Sequence, residues 1–252
     1  MDGMTETVTV IGSPLSPYVR KVLVCLDQKG ISFQLDPIVP FFGDDRFGQI
    51  SPLRRIPVLI DAEVTLCDSS VICQYLEDRY PTPAVYPSAI ADRARARWLE
   101  EFADTRMGEV FIWHLFNQAL IRPAVWGEAP DPVILQKAHN EEIPSILDYL
   151  EGQLPADGFL FGALSIADIS IAAFFRNAAF ARYQVDAARW PRVAAFVPRL
   201  HGHESFAKLA VLEKKMLRTP LPEHRAALAE LGVRLTPDTY GTTTPRRGIM
   251  PL

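Results

Sequence analysis

The residues that most suggest chemistry are Ser16 and Pro17, near the start of the 252-residue chain. Proline suits the first turn of a helix, because its missing N–H would have no partner there. The serine before it then stands at the N-cap, beside backbone N–H groups and the positive end of the helix dipole. A hydroxyl so placed favours an anion. The competing reading of Ser16 is a cap and nothing more. Ser13 belongs to the same turn and is a rival for the same role.

The elements that must position this turn follow from periodicity. Thr7 to Ile11 is a β-branched run ended by Gly12-Ser13-Pro14, which predicts a strand and a turn. Val19, Val22, Leu23 and Leu26 fall at helical spacing, and Gly30 supplies the stop. Phe33 to Val39 reads as a second strand. Val58–Ile60 and Val64–Leu66 read as a hairpin around Asp61-Ala62-Glu63, and a second helix starts near Ser69 and ends before Pro81. Pro81, Pro83 and Pro87 punctuate a stiff linker, the best domain boundary in the chain. Beyond it helical signals dominate: Trp98, Leu99, Phe102 and Met107 share one face, Ile146, Leu147 and Leu150 another, and 166–180 is strongly apolar. The expected organisation is an α/β unit over 1–82, a linker over 83–88, an all-helical domain over 89–217 and a proline- and threonine-rich extension over 218–252. Only Glu223 to Leu231 of that extension reads as helical.

Composition narrows the function. Apolar residues at 48% and charged residues at 22% describe a globular chain, and a net charge of -4 gives no basic surface for nucleic acid. No segment has the length of an uninterrupted membrane span, and the first ten residues lack the basic start and apolar run of a signal peptide. Cys25, Cys67 and Cys73 are an odd number without a disulfide-framework spacing, which fits a reducing cytoplasm. His201 and His203 are close together, but no cysteine or carboxylate set around them reads as a metal site.

Four segments in order carry a resemblance. They are Ser13-Pro-Leu-Ser16-Pro-Tyr-Val-Arg-Lys-Val, Ser51-Pro-Leu-Arg-Arg-Ile56-Pro57-Val-Leu, Leu66-Cys-Asp68-Ser69-Ser-Val-Ile and Ser165-Ile-Ala-Asp168. Together they resemble the cytosolic glutathione transferase superfamily over residues about 7 to 215, leaving the extension outside. The resemblance implies a thioredoxin-like α/β N-terminal domain followed by an all-α helical bundle, with glutathione as co-substrate and a homodimer as the assembly. Thioredoxins carry Cys-x-x-Cys at the first turn; Ser16 and Val19 hold those places here, so that dithiol chemistry is not expected.

The resemblance gives each site residue a role beside its structural alternative. Ser16 would hold the sulfur of glutathione. A thiol with a pKa near about 8.5 is mostly protonated at neutral pH, and lowering that value by about two units takes roughly 2.7 kcal/mol. A hydrogen bond to a charged group supplies about 1.5–3 kcal/mol, and a helix terminus about 0.3–1 kcal/mol, so one serine suffices without a general base. Ile56, before a cis Pro57, would present its backbone to the cysteinyl unit; the alternative is a trans proline at a strand start. Asp68 and Ser69 would take the γ-glutamyl ammonium and carboxylate, or simply begin a helix. Arg55 would meet the glycyl carboxylate, or stand as an exposed charge. Asp104 would reach the glutathione amine across the dimer, or be a solvated helix carboxylate. Met107, Phe111 and Trp113 would line an apolar acceptor surface, or be core. Phe41-Phe42 is a candidate contact with the partner subunit, and the extension is free to fold over the cleft, pack on the partner or stay loose. Ser165 to Asp168 is a capping box, a folding device.

The implied activity is attack of the glutathione thiolate on a small hydrophobic electrophile. The rivals are glutathione-dependent peroxide or disulfide reduction, and a transferase-like scaffold that binds a protein partner without catalysis.

Overall fold

The computed structural model describes residues 8–248. Thr7, the expected first residue of the opening strand, and the last four residues of the extension lie outside that range. Internal contacts gather the chain into two compact units, Met1–Ala84 with Ala207–Leu252, and Val85–Phe206. Residues 207–217, expected to close the all-helical domain over 89–217, and the extension after them therefore group with the sheet.

The sheet unit opens with β1 (Val8–Ile11), α1 (Pro17–Gln28) and β2 (Phe33–Asp36). A 3-10 turn at Pro40–Phe42, α2 (Asp45–Ile50), the hairpin β3 (Val58–Ile60) and β4 (Thr65–Cys67), and α3 (Ser69–Arg79) follow. The strand order is β2-β1-β3-β4, with β1 parallel to β2 and antiparallel to β3, and β4 antiparallel to β3. Val19, Val22, Leu23 and Leu26 of α1 are buried as their spacing predicts, each such side chain contributing about 1.5–3 kcal/mol. β2 is shorter than the run to Val39 suggests. The amide of Ile38 turns back onto the Asp36 carbonyl at 2.8 Å, and Pro40 has no N–H for a ladder. The irregular stretch before β3 contains α2, whose start Asp44 caps by accepting from the Phe47 amide at 2.8 Å.

In the second unit, α4 (Ile90–Phe102) runs on into a wider-turned helix, Ala103–Trp126, that ends at Gly127 with φ +65°. α5 (Pro132–Lys137) passes through a wide turn, Ala138–Glu142, into α6 (Ile143–Gln153). α7 (Ile166–Phe180) is buried over most of its length, and α8 (Pro191–His201) completes the bundle. The capping box at the start of α7 is present: Asp168 accepts from the Ser165 amide at 2.9 Å and from its hydroxyl at 2.6 Å, and also from the Leu160 amide at 2.9 Å.

α9 (Glu204–Met216) leads back to the sheet unit, followed by a 3-10 turn at Leu221–Glu223 and α10 (His224–Glu230). His224 Nε2 lies 2.9 Å from the Met216 carbonyl and 3.0 Å from that of Thr219, fastening α10 to the end of α9. The extension then adds a short parallel pairing to β2, Leu35 with Leu235. The Leu35 amide donates to Arg234 at 2.9 Å, and the Thr236 amide donates to Leu35 at 3.2 Å. Beyond Tyr240 the chain runs beside the 41–45 loop, where Thr242 and Arg246 amides donate to the Phe42 and Phe41 carbonyls at 2.7 and 2.8 Å. The extension thus packs on its own sheet, at the very loop expected to face a partner subunit. Among the described residues, no helix is long and apolar enough to cross a membrane.

One clamp ties the hairpin to α3. Asp61 Oδ2 accepts from the Tyr75 hydroxyl at 2.5 Å, while its Oδ1 takes the Glu63 and Val64 amides at 2.8 and 2.9 Å. Burial acts to raise the Asp61 pKa, but these bonds and the Arg79 charge outweigh it and hold the carboxyl below its ordinary value. Burial and the bond to Asp61 push the Tyr75 phenol up to about 12. The clamp stabilises the fold fully above the ordinary carboxylate pKa and is lost as pH falls through the lowered value. In Tyr75→Phe, the loss of stability between pH 7 and pH 3, measured by urea unfolding, should therefore be smaller than in the parent; an unchanged difference contradicts the clamp.

Candidate active site

Strand register gathers those expected residues that lie in the sheet unit. Ile11 pairs with Asp36 on one side and Val58 on the other, and Val58 pairs with Cys67, so one row crosses all four strands. Directly beyond that row lie Gly12 and Ser13 after β1, Ile56 and Pro57 before β3, and Asp68 and Ser69 after β4. Three sequence-distant segments thus share one end of the sheet.

Gly12 permits the closest approach among them. Its φ is +143°, and a Cβ there would stand 2.5 Å from Val19 Cγ2 and 2.9 Å from Ile56 Cβ. The Ile56–Pro57 bond is cis. Ile56 packs with Ile11, Ile38, Phe47 and Val58 in the core under the site.

Ser16 is the N-cap of α1, with extended backbone and Pro17 at the first helical position. It is half-buried, and its hydroxyl accepts from the Val19 amide over a long 3.5 Å. Ser13 is buried, its Oγ accepting from the Leu15 amide at 3.3 Å and its carbonyl accepting from the Ser16 amide at 2.9 Å. The turn between the two serines is held by Arg20, which donates from Nη2 to the carbonyls of Pro14 and Leu15 at 3.2 and 3.4 Å. Arg20 Nε meets Glu213 Oε1 of α9 at 2.5 Å, with both side chains sealed from solvent at 0% and 1% exposure. Lys21, also buried, donates to Ser70 Oγ at 3.0 Å and joins α1 to α3.

Asp68 caps α3, accepting from the Ser70 and Val71 amides through Oδ1 at 3.0 and 3.1 Å. It is exposed, with φ at +80°, a strained value for a residue with a side chain. Ser69 is buried behind it. The two arginines before Ile56 divide their work. Arg54, at φ +51°, turns inward, donating to the Gly43 and Asp44 carbonyls at 3.3 and 3.1 Å. Arg55 is exposed, its amide and carbonyl both bonded to the Ser51 hydroxyl at 3.0 and 2.8 Å.

The helical unit corrects one expectation. Met107 and Phe111 are wholly buried, and Phe111 lies edge-on against Phe175 at 5.2 Å. Both are core side chains and line no open acceptor surface, because this helix carries apolar residues round more than one face. Trp113 and Asp104 are half-buried in the same helix.

Sequence reasoning missed Gly12, Arg20 and Glu213. A charged residue among the apolar positions of α1 was the available signal for Arg20; its partner lies 193 positions away. Cys25, Cys67 and Cys73 form no disulfide among themselves, and burial raises the pKa of Cys67, whose Sγ donates to the Ile50 carbonyl at 2.9 Å. Among the described residues, no group of three or more histidines, cysteines and carboxylates is arranged to hold a metal ion.

Residues 10–84 match the family model of the glutathione S-transferase N-terminal domain, and residues 92–199 that of the C-terminal domain. An uncharacterized GST-like protein of Escherichia coli, YibF, is 32% identical over 79% of this chain and 96% of its own length. Glutathione S-transferase 3 of Zea mays is 28% identical over 84% and 94%. The fold matches a glutathione S-transferase of Methylobacterium radiotolerans, in complex with glutathione sulfonate, with a TM-score of 0.66 and 25% identity over 80% of this chain and 93% of that one.

The buried pair behind the serine turn is open to test. Glu213→Ala takes away the carboxylate that faces the Arg20 guanidinium, and removing one partner of a buried pair costs about 3–5 kcal/mol. Urea unfolding should register a loss of that size, and Arg20→Met with Glu213→Leu should recover most of it. A loss in Glu213→Ala no larger than that of an exposed pair would contradict the role given to it.

Proposed function

Because the chain belongs to the glutathione S-transferase family, we propose that it binds glutathione at the shared end of the sheet and activates its thiol at Ser16 for attack on a small hydrophobic electrophile. The observation that carries this reading is Ser16 itself. It is a half-buried hydroxyl at a helix N-terminus, bound to its own helix only by a 3.5 Å contact. Ser13 is buried and serves the turn, so it supports Ser16 from behind.

In this reading the Ser16 hydroxyl donates to the thiolate, and the α1 amides add their partial positive charge. The thiol proton leaves to solvent. A carbon–sulfur bond then forms as the electrophile gives up its leaving group, or as its double bond takes up the electron pair. Ser16 donates a hydrogen bond and forms no covalent bond. The Ile56 backbone pairs with the cysteinyl unit. Asp68 takes the γ-glutamyl ammonium through the oxygen not engaged in capping, and the start of α3 takes the carboxylate. Arg55 meets the glycyl carboxylate. Three cysteines outside any disulfide accord with detoxification in a reducing cytoplasm, and the family relationship supports a homodimer.

Retention on immobilised glutathione, with turnover of an aryl halide, tests the binding and the reaction together. Ser16→Ala should raise the pKa of the bound thiol by about 1–2 units, the equivalent of one hydrogen bond to a charged group. Turnover near pH 6.5 should fall about tenfold or more, with affinity little changed. An unaltered thiol pKa in this variant would remove Ser16 from its role.

A further inference from the structure

The extension beyond the family models makes contacts that converge on the 41–46 loop. Asp36, 1% exposed at the end of β2, gathers three donors from it: Arg225 Nη1 at 3.1 Å, the Thr239 hydroxyl at 2.8 Å and the Tyr240 amide at 2.8 Å. Burial pushes the Asp36 pKa up against these bonds, as expected of a carboxylate enclosed by the segment that solvates it. Tyr240 packs against the core that includes Phe47 and Ile56, and its carbonyl accepts from the Asp44 amide at 2.7 Å. Arg246 finishes the contact. Its amide donates to the Phe41 carbonyl at 2.8 Å, Nη2 to the Gly43 carbonyl at 2.6 Å and Nη1 to Asp45 Oδ1 at 2.8 Å.

The Gly43 carbonyl is also the acceptor for Arg54. Two guanidinium groups, one from the extension and one from the segment that ends in Arg55-Ile56-Pro57, therefore grip the same peptide unit. We propose that residues 234–247 are a built-in brace that fixes the 41–46 loop and Arg54 before glutathione arrives, with Arg246 a positioning residue for the glycyl end of the ligand. The proposal rests on the reading of the cleft as a glutathione site. Ordering the loop in advance removes a cost that binding would otherwise carry, so the brace acts on affinity and leaves sulfur activation at Ser16 alone.

The test uses the full chain with Arg246→Ala and Arg246→Lys. Arg246→Ala should raise the KM for glutathione about fivefold, the loss expected when charge-assisted bonds that preorder a loop are removed. Its kcat and the pKa of the bound thiol should stay at parental values. Amide hydrogen exchange in residues 42–47 should quicken about tenfold, and Arg246→Lys should recover part of both effects. Parental KM and exchange in Arg246→Ala would overturn the brace, as would a fall in kcat at unchanged KM. A parent that fails to bind glutathione overturns the reading of the cleft and the brace with it; a parent that binds, with a variant binding equally well, overturns the brace alone.

Discussion

In the interior of the sheet unit a guanidinium and a carboxylate meet where neither can reach water, and the geometry of the serine turn depends on that meeting. Arg20 and Glu213 are both sealed. Such a pair is a poor source of net stability, since the desolvation of two charges offsets most of their attraction. Its value is positional. Facing Glu213, Arg20 has further N–H groups for the carbonyls of Pro14 and Leu15, and those two peptide units fix how the chain enters the helix. A hydroxyl that holds sulfur, the role proposed for Ser16, must stand within a fraction of an ångström of its working place, and the turn before it is supported from within the fold.

The rest of the site is an exercise in register. Antiparallel pairing of β3 with β1 and β4 brings the start of one strand beside the ends of two others. The cis-proline segment, the serine turn and the start of α3 then converge, with Lys21 joining α1 to Ser70 at the start of α3. Gly12 lets the surfaces close, since any larger residue would meet Val19 and Ile56. Asp68 does local work in a strained conformation. Such strain is common where a backbone aims a group at a ligand and the surrounding fold holds it there, the role proposed for Asp68.

How much of this was legible in the sequence depended on how local its cause was. β1, α1, the hairpin and α3 follow from apolar period and punctuation, because neighbouring residues decide them. The same is true of Ser16-Pro17 and of the capping box at Ser165. α2 was hidden, since Gly43-Asp44-Asp45-Arg46-Phe47-Gly48 offers a single large apolar residue, and what makes it a helix is the cap at Asp44 together with burial of Phe47. Arg54 and Arg55 looked alike as adjacent charges; only the carbonyls of Gly43 and Asp44 separate them. Met107 and Phe111 misled because a helix buried on several sides presents no single apolar stripe. The extension was least legible of all, for its anchor is Asp36, about two hundred positions earlier.

The sheet unit is discontinuous, built from the first third of the chain and the last fifth with the helical unit spelled between them. On a ribosome this imposes an order. The four strands and α1 emerge early, then wait through the synthesis of more than a hundred residues before Glu213, Arg225 and Arg246 appear. The helical unit, whose contacts are encoded contiguously, is free to condense first. The serine turn and the 41–46 loop would then be held in place only after the helical unit has been made, because Glu213 and Arg246 follow it in the chain.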